Sequence, residues 1–442
     1  MPGRVLLSVY RWTVPAVLVA MIVSCSPSGT GSSEKGSDSR SFRPLEADTA
    51  IFWDRQTSDS ADELAAIVDE YNASHEGVPI KAVSTGNYGD IYKKVVASTR
   101  AGVLPAMAVA YENMTAEYMR QGAVKSLDDY IANPETGLSE EELNDFFPAM
   151  LDTNRFAQFD GQTLSFPYTK SVLVMYYNLD VMRAAGLDAP PTTWEEFVEQ
   201  CRVIKQKTGK FGIALDVDCS TISGIIFSMG GEILGAGETL YDSPASIRTF
   251  ELIETLMREK LAYQIPPRTF NDETSFGNDE IAFILRTSAQ RPYLKNLIPD
   301  SNTWGIAAIP QADPADPHTA LFGGNVTLFQ TTPEQQASAW GFMKYFTSPE
   351  TTARWALATG YLPVRRSAAD DPALQAFWAE WPSNKTAFDC LEFAKPEPNI
   401  LAWQEIRSLV EKAETAVIAG MKSGREAAED LKRDADALIK KQ

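Results

Sequence analysis

The residue types on which acid–base, nucleophilic or metal chemistry depends form no recognisable group in this chain. Its two histidines, His75 and His318, are far apart, and neither belongs to a His-Glu-x-x-His motif. No Cys-x-x-Cys pair occurs, and the Ser-x-x-Lys match from Ser32 to Lys35 falls in a low-complexity segment. These patterns give no support to a catalytic triad, a zinc site or a redox pair. We therefore expect neither a metal nor a cofactor.

Glycoside hydrolysis is the reaction that the sequence leaves open. It needs two carboxylic acids without a fixed spacing, and the chain has 59 Asp and Glu residues. No phosphate-binding loop, Gly-x-Ser-x-Gly or Gly-x-Gly-x-x-Gly motif occurs. Binding without catalysis is therefore the favoured interpretation, and a secreted hydrolase is the alternative from a different class.

Two residues with polar side chains closely follow predicted strands. Apolar stretches at 49–53, 79–83 and 106–111 alternate with helical patterning, which predicts β-α-β units with parallel strands. Ligands of such sheets collect beyond the carboxyl ends of the strands. Tyr88 and Glu112 lie just past two of these strands, so both are candidate ligand contacts.

The rest of the chain continues the alternation of strands and helices. Further strands are expected at 171–178, 281–285, 304–309 and 321–329, and helices dominate from residue 333 onward. A Pro-Pro-Thr-Thr-Trp sequence opens a further helix, with Thr193 as its N-cap. The length of 442 residues is about three times a ~150-residue domain. An α/β protein with two lobes is the expected fold class.

The composition is that of a folded, acidic protein. Hydrophobic residues make up 44% and aromatic residues 10% of the chain, and its net charge is −19. This charge is opposite in sign to that of proteins that bind nucleic acid, so no nucleic-acid partner is expected. A bound anion would have to be held by local donors against the overall field.

The N-terminus predicts export and lipid anchoring. The apolar stretch at 14–24 is too short to span a bilayer and has the length of a signal-peptide core. Ile-Val-Ser-Cys at 22–25 resembles the bacterial lipobox, which predicts a signal peptide at 1–24 and a lipid on Cys25. The Ser/Gly-rich composition that follows predicts a flexible tether over 25–45. The folded part would lie on the periplasmic side of the bacterial inner membrane or at the cell surface.

Three cysteines remain after Cys25, namely Cys201, Cys219 and Cys390. An odd number gives no disulfide framework. A bridge from Cys201 to Cys219 and three buried free thiols both remain open.

A series of motifs resembles the extracellular solute-binding proteins of ABC importers, in the carbohydrate-type family. In chain order they are Gly-Asn-Tyr at 86–88, Val-Ala-Tyr-Glu at 109–112, Phe-Pro-Tyr-Thr-Lys-Ser-Val-Leu-Val-Met-Tyr-Tyr-Asn at 166–178, Pro-Thr-Thr-Trp-Glu-Glu-Phe at 191–197, Phe-Gly-Gly at 322–324, Phe-Thr-Ser-Pro-Glu at 346–350 and Gly-Tyr-Leu-Pro-Val at 360–364. The resemblance covers essentially residues 48–440. The first two motifs favour the branch that binds glycerol-3-phosphate and glycerophosphodiesters.

The resemblance implies two α/β lobes joined by a hinge that closes over a small solute. It assigns residues 46–169 and 280–325 to the N-terminal lobe, and residues 170–279 and 326–442 to the C-terminal lobe. The partners that it implies are a small-molecule solute and the permease subunits, and the protein is expected to be a monomer without enzymatic activity.

The resemblance also supplies candidate ligand contacts, which include donors for phosphate and an acceptor for hydroxyl groups. They are Tyr88, Glu112, Ser171, Thr287, Gly324, Tyr361 and Arg407, with Ser288 as an alternative to Thr287 and with Lys170 as a possible addition. Arg407 would hold phosphate oxygens with its planar guanidinium, and Glu112 would accept from glycerol hydroxyls.

The position of Tyr361 also follows from its neighbours. Gly360 provides the permissive backbone that ends a helix, and Pro363 prevents the helix from resuming. Tyr361 is therefore expected at a helix terminus, where the resemblance places it facing the cleft as a ligand contact.

One departure from the resemblance concerns the head group of the ligand. Where the glycerol-phosphate branch has a stacking Trp, this chain has Val217 or Asp218. A carboxylate there could receive an ammonium-bearing head group, which makes glycerophosphocholine and glycerophosphoethanolamine candidate ligands beside glycerol-3-phosphate. A neutral oligosaccharide is the alternative ligand within the same fold.

Overall fold

Two β-sheets, each flanked by helices, form the framework of the computed structural model. The structure describes residues 42–266, 269–300 and 302–441. The predicted signal peptide, the predicted lipid site Cys25 and most of the predicted tether lie outside the described residues. Within the described residues, no helix has both the length and the apolar character that crossing a membrane requires.

The strands are numbered in chain order. They are β1 (Arg43–Pro44), β2 (Ala50–Asp54), β3 (Ile80–Ser84), β4 (Val103–Leu104), β5 (Met107–Ala110), β6 (Arg155–Phe156), β7 (Gln162–Thr163), β8 (Ser165–Pro167), β9 (Ser171–Asn178), β10 (Phe211–Leu215), β11 (Leu234–Gly235), β12 (Glu238–Thr239), β13 (Ala262–Gln264), β14 (Ile281–Thr287), β15 (Trp304–Ala308), β16 (Thr319–Phe322), β17 (Asn325–Leu328) and β18 (Ala394–Pro396).

The helices are numbered in the same way. They are α1 (Ser58–Ser74), α2 (Tyr88–Ala101), α3 (Glu112–Arg120), α4 (Asp128–Ile131), α5 (Glu140–Asn144), α6 (Pro148–Asp152), α7 (Leu179–Ala185), α8 (Trp194–Thr208), α9 (Cys219–Ser228), α10 (Pro244–Arg258), α11 (Asn271–Gly277), α12 (Arg291–Leu297), α13 (Pro333–Phe346), α14 (Pro349–Thr359), α15 (Pro372–Glu380), α16 (Ser383–Asp389), α17 (Trp403–Ile418) and α18 (Gly424–Ile439).

The first sheet has five strands in the order β3-β2-β5-β17-β8. β2 is parallel to β3 and to β5, whereas β17 is antiparallel to both β5 and β8. The carboxyl ends of β2, β3, β5 and β8 and the amino end of β17 therefore share one edge. The predicted β-α-β unit at 49–83 is confirmed, because β2, α1 and β3 occupy that stretch.

The second sheet has seven strands, with β13-β10-β14-β9-β16-β18 in order and β15 paired to β9. β9 is buried almost throughout, as its apolar sequence predicts for a central strand. It is antiparallel to β14 and β16, so the amino end of β9 shares an edge with the carboxyl ends of those two strands. The parallel pairings of β10 with β14 and of β18 with β16 bring the carboxyl ends of β10 and β18 to the same edge.

Within the described residues the chain passes between the sheets three times, once between β17 and β18 and twice at two neighbouring places. Residues 168–170 join β8 to β9, and Gly323 with Gly324 joins β16 back to β17. Gly323 has φ +106°, and a Cβ atom there would lie 1.8 Å from the carbonyl oxygen of Thr169. Only glycine fits this crossing. The predicted single strand at 321–329 is thus two strands in different sheets.

Two parts of the expected lobe assignment differ from this arrangement. β14, β15 and β16, which lie within 280–325, pair with β9 in the second sheet. α13 packs on the first sheet, where Phe342 lies 6.0 Å from Phe52 and Phe346 lies 4.6 Å from Tyr168, measured between ring centroids. α17 and α18 pack with α10 beside the second sheet. The difference arises because the chain crosses between the lobes at points that the order of the motifs does not reveal.

Local sequence determines where several helices begin and end. The predicted N-cap Thr193 is confirmed, since it forms a capping box with Glu196 at the start of α8. α14 ends at Gly360, whose left-handed backbone has φ +79°. The three cysteines of the described chain, Cys201, Cys219 and Cys390, are buried free thiols, so the bridge that the sequence left open is not formed.

Candidate functional site

The candidate site is the cleft between the two sheet edges described above. Hydrogen bonds connect the two sides: Asn113 Nδ2 of α3 donates to Gln404 Oε1 of α17 at 3.3 Å. The Asn399 side chain, beyond β18, donates to the Arg155 carbonyl at 2.6 Å, and Gln158 donates to the Asn399 carbonyl at 2.6 Å. The cleft is therefore bounded by polar contacts that a hinge motion would break.

On the first-sheet side, three tyrosines surround one arginine, and we call Arg55, Tyr88, Tyr111 and Tyr361 the tyrosine–arginine cluster. The rings of Tyr88 and Tyr111 lie 4.1 Å apart. The Arg55 guanidinium lies 5.1 Å from the Tyr88 ring centroid, and Arg55 Nη1 donates to Tyr361 Oη at 3.0 Å. Tyr111 keeps 36% of its surface exposed, so an aromatic face remains accessible from the cleft.

The strand order explains why these residues meet. Arg55 directly follows β2, Tyr88 lies four residues past β3, and Tyr111 directly follows β5. Gly324 immediately precedes β17 at the same edge, and a Cβ atom there would lie 2.5 Å from Tyr88 Oη. Glycine at this position therefore permits the close approach of the Tyr88 hydroxyl. The structure brings the predicted contacts Tyr88, Gly324 and Tyr361 together.

The tyrosine hydroxyls of the cluster are neutral hydrogen-bonding groups. Burial raises the pKa of Tyr88 well above its ordinary value. Burial also raises the pKa of Tyr361, although the charge of Arg55 partly opposes this. For Tyr111, burial and the neighbouring Tyr361 raise the pKa, and the positive charges of Arg55 and Arg407 lower it.

Glu112 lies beside this cluster, at the first position of α3. Its Oε1 accepts from Thr153 Oγ1 at 2.8 Å and from Asn325 Nδ2 at 2.7 Å, and Lys170 Nζ lies 3.9 Å away. Within the part of the chain that the structure describes, no donor reaches Oε2. One carboxylate oxygen therefore has no hydrogen-bond donor among the described residues.

Lys170 is a buried cation in the crossing segment. Its side chain is 1% exposed, and Nζ donates to the Gly323 carbonyl at 3.3 Å. Burial lowers its pKa to about 8, and the charge of Glu112 partly offsets this effect. The Lys170 carbonyl accepts from Leu362 N at 2.8 Å. Through these contacts, Lys170 joins the two neighbouring crossings to the backbone at Leu362.

The predicted hydroxyl donors lie together at the edge of the second sheet. Thr287 Oγ1 donates to Ser171 Oγ at 2.7 Å. Ser288 Oγ accepts from Val172 N at 3.2 Å, and both Ser171 and Ser288 are 2% exposed. Ser288 is thus engaged with the backbone, whereas Thr287 is the more accessible hydroxyl of the three.

Arg407 enters the cleft from α17 with its charge already offset. Its Nη1 lies 2.5 Å from Glu397 Oε2 and donates to Ser220 Oγ at 2.8 Å, and its Nη2 lies 3.5 Å from Asp218 Oδ1. Burial disfavours the charged guanidinium, but the carboxylate of Glu397 and then that of Asp218 outweigh burial and raise its pKa. A phosphate at Arg407 would have to share the guanidinium with two carboxylates.

Asp218 is occupied by structural contacts. As the N-cap of α9, its Oδ2 accepts from Thr221 N at 2.8 Å, and its backbone N donates to Glu414 Oε2 at 3.1 Å. Its other oxygen faces Arg407. The carboxylate is therefore better suited to position Arg407 than to receive an ammonium head group.

Two residues of this site were not found from the sequence. Arg55 follows β2 directly, so the rule of strand carboxyl ends that selected Tyr88 and Glu112 would also have found it. Glu397 follows β18, a three-residue strand that ends in proline, and no periodic pattern marks so short a strand. Glu397 also lines a cavity between the lobes together with Thr153 and Asn399.

Comparison with known proteins gives the family. The profile described as bacterial extracellular solute-binding protein matches residues 66–386, which is more than half of the chain. The sn-glycerol-3-phosphate-binding periplasmic protein UgpB of Pectobacterium atrosepticum is 26% identical over 412 residues, covering 88% of this chain and 91% of the relative. UgpB of Escherichia coli K12 is also 26% identical, with 89% and 93% covered.

Solved structures show the same fold. UgpB from Mycobacterium tuberculosis in complex with glycerophosphocholine aligns with a TM-score of 0.77 and 18% identity over 90% of this chain and 100% of the other. The cyclic α-maltosyl-1,6-maltose binding protein from Arthrobacter globiformis aligns with a TM-score of 0.79 and 22% identity over 89% and 99%. The expected two-lobed α/β fold is thus confirmed. The protein belongs to the family of bacterial extracellular solute-binding proteins and is the solute-binding component of an ABC importer.

Proposed function

We propose that the protein captures glycerol-3-phosphate or a glycerophosphodiester, such as glycerophosphocholine or glycerophosphoethanolamine, between its two lobes and delivers it to the permease. The carrying observation is that the Arg55 guanidinium donates to Tyr361 Oη and lies over the Tyr88 ring, whose hydroxyl closely approaches Gly324 at the same sheet edge. Aromatic and neutral hydroxyl groups beside guanidinium groups suit a small ligand with an anionic end and a hydroxylated end.

Glu112 supports the assignment of the hydroxylated end. Its Oε1 is held by Thr153 and Asn325, which fixes the orientation of the carboxylate. Oε2 would accept hydrogen bonds from glycerol hydroxyls. A phosphodiester would extend its second alcohol beyond the phosphate, and the cavity lined by Thr153, Glu397 and Asn399 offers space between the lobes for that group.

The relatives support both the ligand and the location. Two of them are named as periplasmic binding proteins for sn-glycerol-3-phosphate, which implies export of this chain as well. A lipid on Cys25 and the Ser/Gly-rich segment behind it would keep the protein near the membrane and its permease, where it acts as a monomer.

A neutral oligosaccharide is the second candidate ligand. The exposed Tyr111 ring can stack on a sugar face, and the Arthrobacter globiformis neighbour is named for binding a cyclic maltosyl-maltose. Against it stands the Arg55 guanidinium in the tyrosine–arginine cluster, since a neutral sugar needs no such charge.

The test is a set of calorimetric titrations on the protein lacking residues 1–24. The ligands are glycerol-3-phosphate, glycerophosphocholine, glycerophosphoethanolamine, maltose and trehalose. The proposal expects one-to-one binding of at least one phosphate ligand and no hydrolysis products after prolonged incubation. Binding of a sugar without any phosphate ligand would overturn it, and turnover of a phosphodiester or a glycoside would indicate an enzyme.

A further inference from the structure

Three arginines at the cleft edges differ in how their charge is offset. Arg286 Nη1 lies 2.7 Å from Asp216 Oδ2, and its Nε lies 2.8 Å from Asp272 Oδ2. Arg407 likewise contacts two carboxylates. Arg55 contacts the Tyr361 hydroxyl and the Tyr88 ring, and within the described ranges no carboxylate oxygen lies within ion-pair distance of it. Of these three arginines, Arg55 is therefore the one whose charge no described carboxylate offsets directly.

The Nε and Nη2 atoms of Arg55, which form no hydrogen bond within the described chain, make up the edge of the guanidinium that can bind two oxygens of an oxyanion. Nη1 is taken by Tyr361, whereas Nε is buried without a hydrogen-bond partner and Nη2 forms no hydrogen bond to any described residue. In Arg286 the same pair, Nε and Nη2, holds the two oxygens of Asp272 at 2.8 and 2.9 Å. A buried charged donor without an acceptor is unfavourable, so a bidentate oxyanion would satisfy Arg55 in the way that Asp272 satisfies Arg286.

The nearest negative charge is directed elsewhere. Asp54, the last residue of β2, is 1% exposed, and its Oδ1 accepts from Gln56 N at 2.6 Å. Burial raises the pKa of this carboxyl to about 6. Asp54 offsets part of the field of Arg55 without forming an ion pair with it, so no described carboxylate occupies the Nε–Nη2 edge.

We infer that Arg55 forms an anion subsite on the first-sheet side of the cleft and determines specificity for a phosphate mono- or diester. This inference rests on the proposed function. Every contact of Arg55 comes from residues at the first sheet edge or from Tyr361 beside it, so the subsite is assembled without Arg407. The phosphate is held by the first lobe, and Arg407 with its two carboxylates closes over the part of the solute that faces α17.

The experiment compares Arg55→Gln, Arg55→Lys and the control Arg100→Gln with the wild type. Arg100 is an exposed arginine near the end of α2, so its substitution removes the same charge outside the cleft. Calorimetric titrations use glycerol-3-phosphate, glycerophosphocholine and maltose, with the melting temperature of each variant measured alongside. Arg55→Gln should weaken binding of both phosphate ligands by about 10- to 100-fold, the range for loss of charged hydrogen bonds.

Arg55→Lys keeps the charge and loses the planar fork, so it should weaken binding by about tenfold. This variant also carries the test if Arg55→Gln does not fold. Wild-type affinity for both phosphate ligands in a folded Arg55→Gln or Arg55→Lys variant would overturn the inference and leave the proposed function standing. Failure of the wild type to bind any phosphate ligand would overturn both.

Discussion

Arg407 Nη1 lies 2.5 Å from Glu397 Oε2. Arg407, which was expected to hold phosphate, therefore already forms an ion pair within its own lobe. Ser223 Oγ and Trp403 Nε1 also donate to Glu397, which fixes the carboxylate in place. This arrangement gives Arg55 and Arg407 different roles. The Nε–Nη2 edge of the Arg55 guanidinium has no carboxylate partner among the described residues. The Arg407 guanidinium is held in place, but Glu397 and Asp218 offset most of its charge.

The first prediction concerns this ion pair. Glu397→Gln keeps a side chain of the same shape and removes the negative charge next to Arg407. Affinity for glycerol-3-phosphate should rise by a few-fold, because like charges on opposite sides of the cleft repel by on the order of 1 kcal/mol at an effective dielectric constant near 20. Calorimetric titration measures the change. Glu380→Gln, the same substitution at an exposed helix end, serves as the control.

A loss of affinity in Glu397→Gln would contradict this account. It would mean that the ion pair orients Arg407 for direct contact with the phosphate, and that orientation outweighs the removal of charge.

The second prediction concerns Tyr361. Tyr361→Ala removes the hydroxyl that accepts from Arg55 Nη1 and opens the wall of the tyrosine–arginine cluster. Binding of glycerophosphocholine should weaken by about tenfold or more, and Tyr361→Phe should weaken it by about three- to tenfold, since one hydrogen bond to a charged group is lost. Tyr293→Ala is the control, because Tyr293 is 65% exposed on α12.

Melting temperatures separate a binding role from a structural one. Gly360 ends α14 independently of the Tyr361 side chain, so the melting temperature of Tyr361→Ala should fall by only a few degrees. A fall of more than about 10 °C together with wild-type affinity would show that Tyr361 is a packing residue.

The third prediction concerns Lys170 and pH. Burial lowers its pKa from 10.5 to about 8. Below pH 8 the lysine is charged in both the folded and the unfolded state. Between pH 8 and 10.5 the unfolded chain keeps a proton that the folded protein has released, so the free energy of unfolding rises with pH in that window.

Lys170→Met removes this titration while filling the same space. The free energy of unfolding of the wild type relative to Lys170→Met should be flat below pH 7.5 and rise by about 3 kcal/mol between pH 8 and 10.5. Urea denaturation at a series of pH values measures the difference. A difference that does not depend on pH would show that Lys170 keeps its ordinary pKa.

The fourth prediction concerns Asp54 and ligand binding. Because burial raises its pKa to about 6, Asp54 is negative at pH 7.5 and largely neutral at pH 5. Protonation removes a charge that opposes Arg55, so affinity for glycerophosphocholine should increase as the pH falls from 7.5 to 5. The phosphodiester itself does not titrate in this range.

Asp54→Asn should bind glycerophosphocholine more tightly than the wild type at pH 7.5 and with little dependence on pH. Asparagine can still accept from Gln56 N, which preserves the local turn. Parallel pH profiles for the two proteins would contradict the role given to Asp54.

The fold could be predicted from the sequence where periodic patterns are strong. The apolar run of β9 and the capping box of α8 gave correct elements, and the rule of strand carboxyl ends brought Tyr88 and Glu112 to the cleft. The crossing at Gly323 was missed, because two strands separated by two glycines have the pattern of one strand. Pairings of β14 and β15 with β9 are long-range, and no local signal reports them.

The charge pairs of the site are likewise long-range and could not be predicted from local sequence. Arg407 could be named from a resemblance, but its pairing with Glu397 and Asp218 depends on three segments that meet only in the folded chain. Conversely, the rule of strand carboxyl ends would have selected the position of Arg55, but not its electrostatic role. Arg55 differs from Arg286 and Arg407 because no described carboxylate forms an ion pair with it, and no sequence pattern shows that a contact is absent.

The most direct test of the central claim is a calorimetric titration of the wild-type protein, lacking residues 1–24, with glycerophosphocholine and maltose in phosphate-free buffer. We expect saturable one-to-one binding of glycerophosphocholine that weakens as salt is added, since a guanidinium–phosphate contact is partly screened. Saturable binding of maltose with no heat from glycerophosphocholine or glycerol-3-phosphate would contradict it.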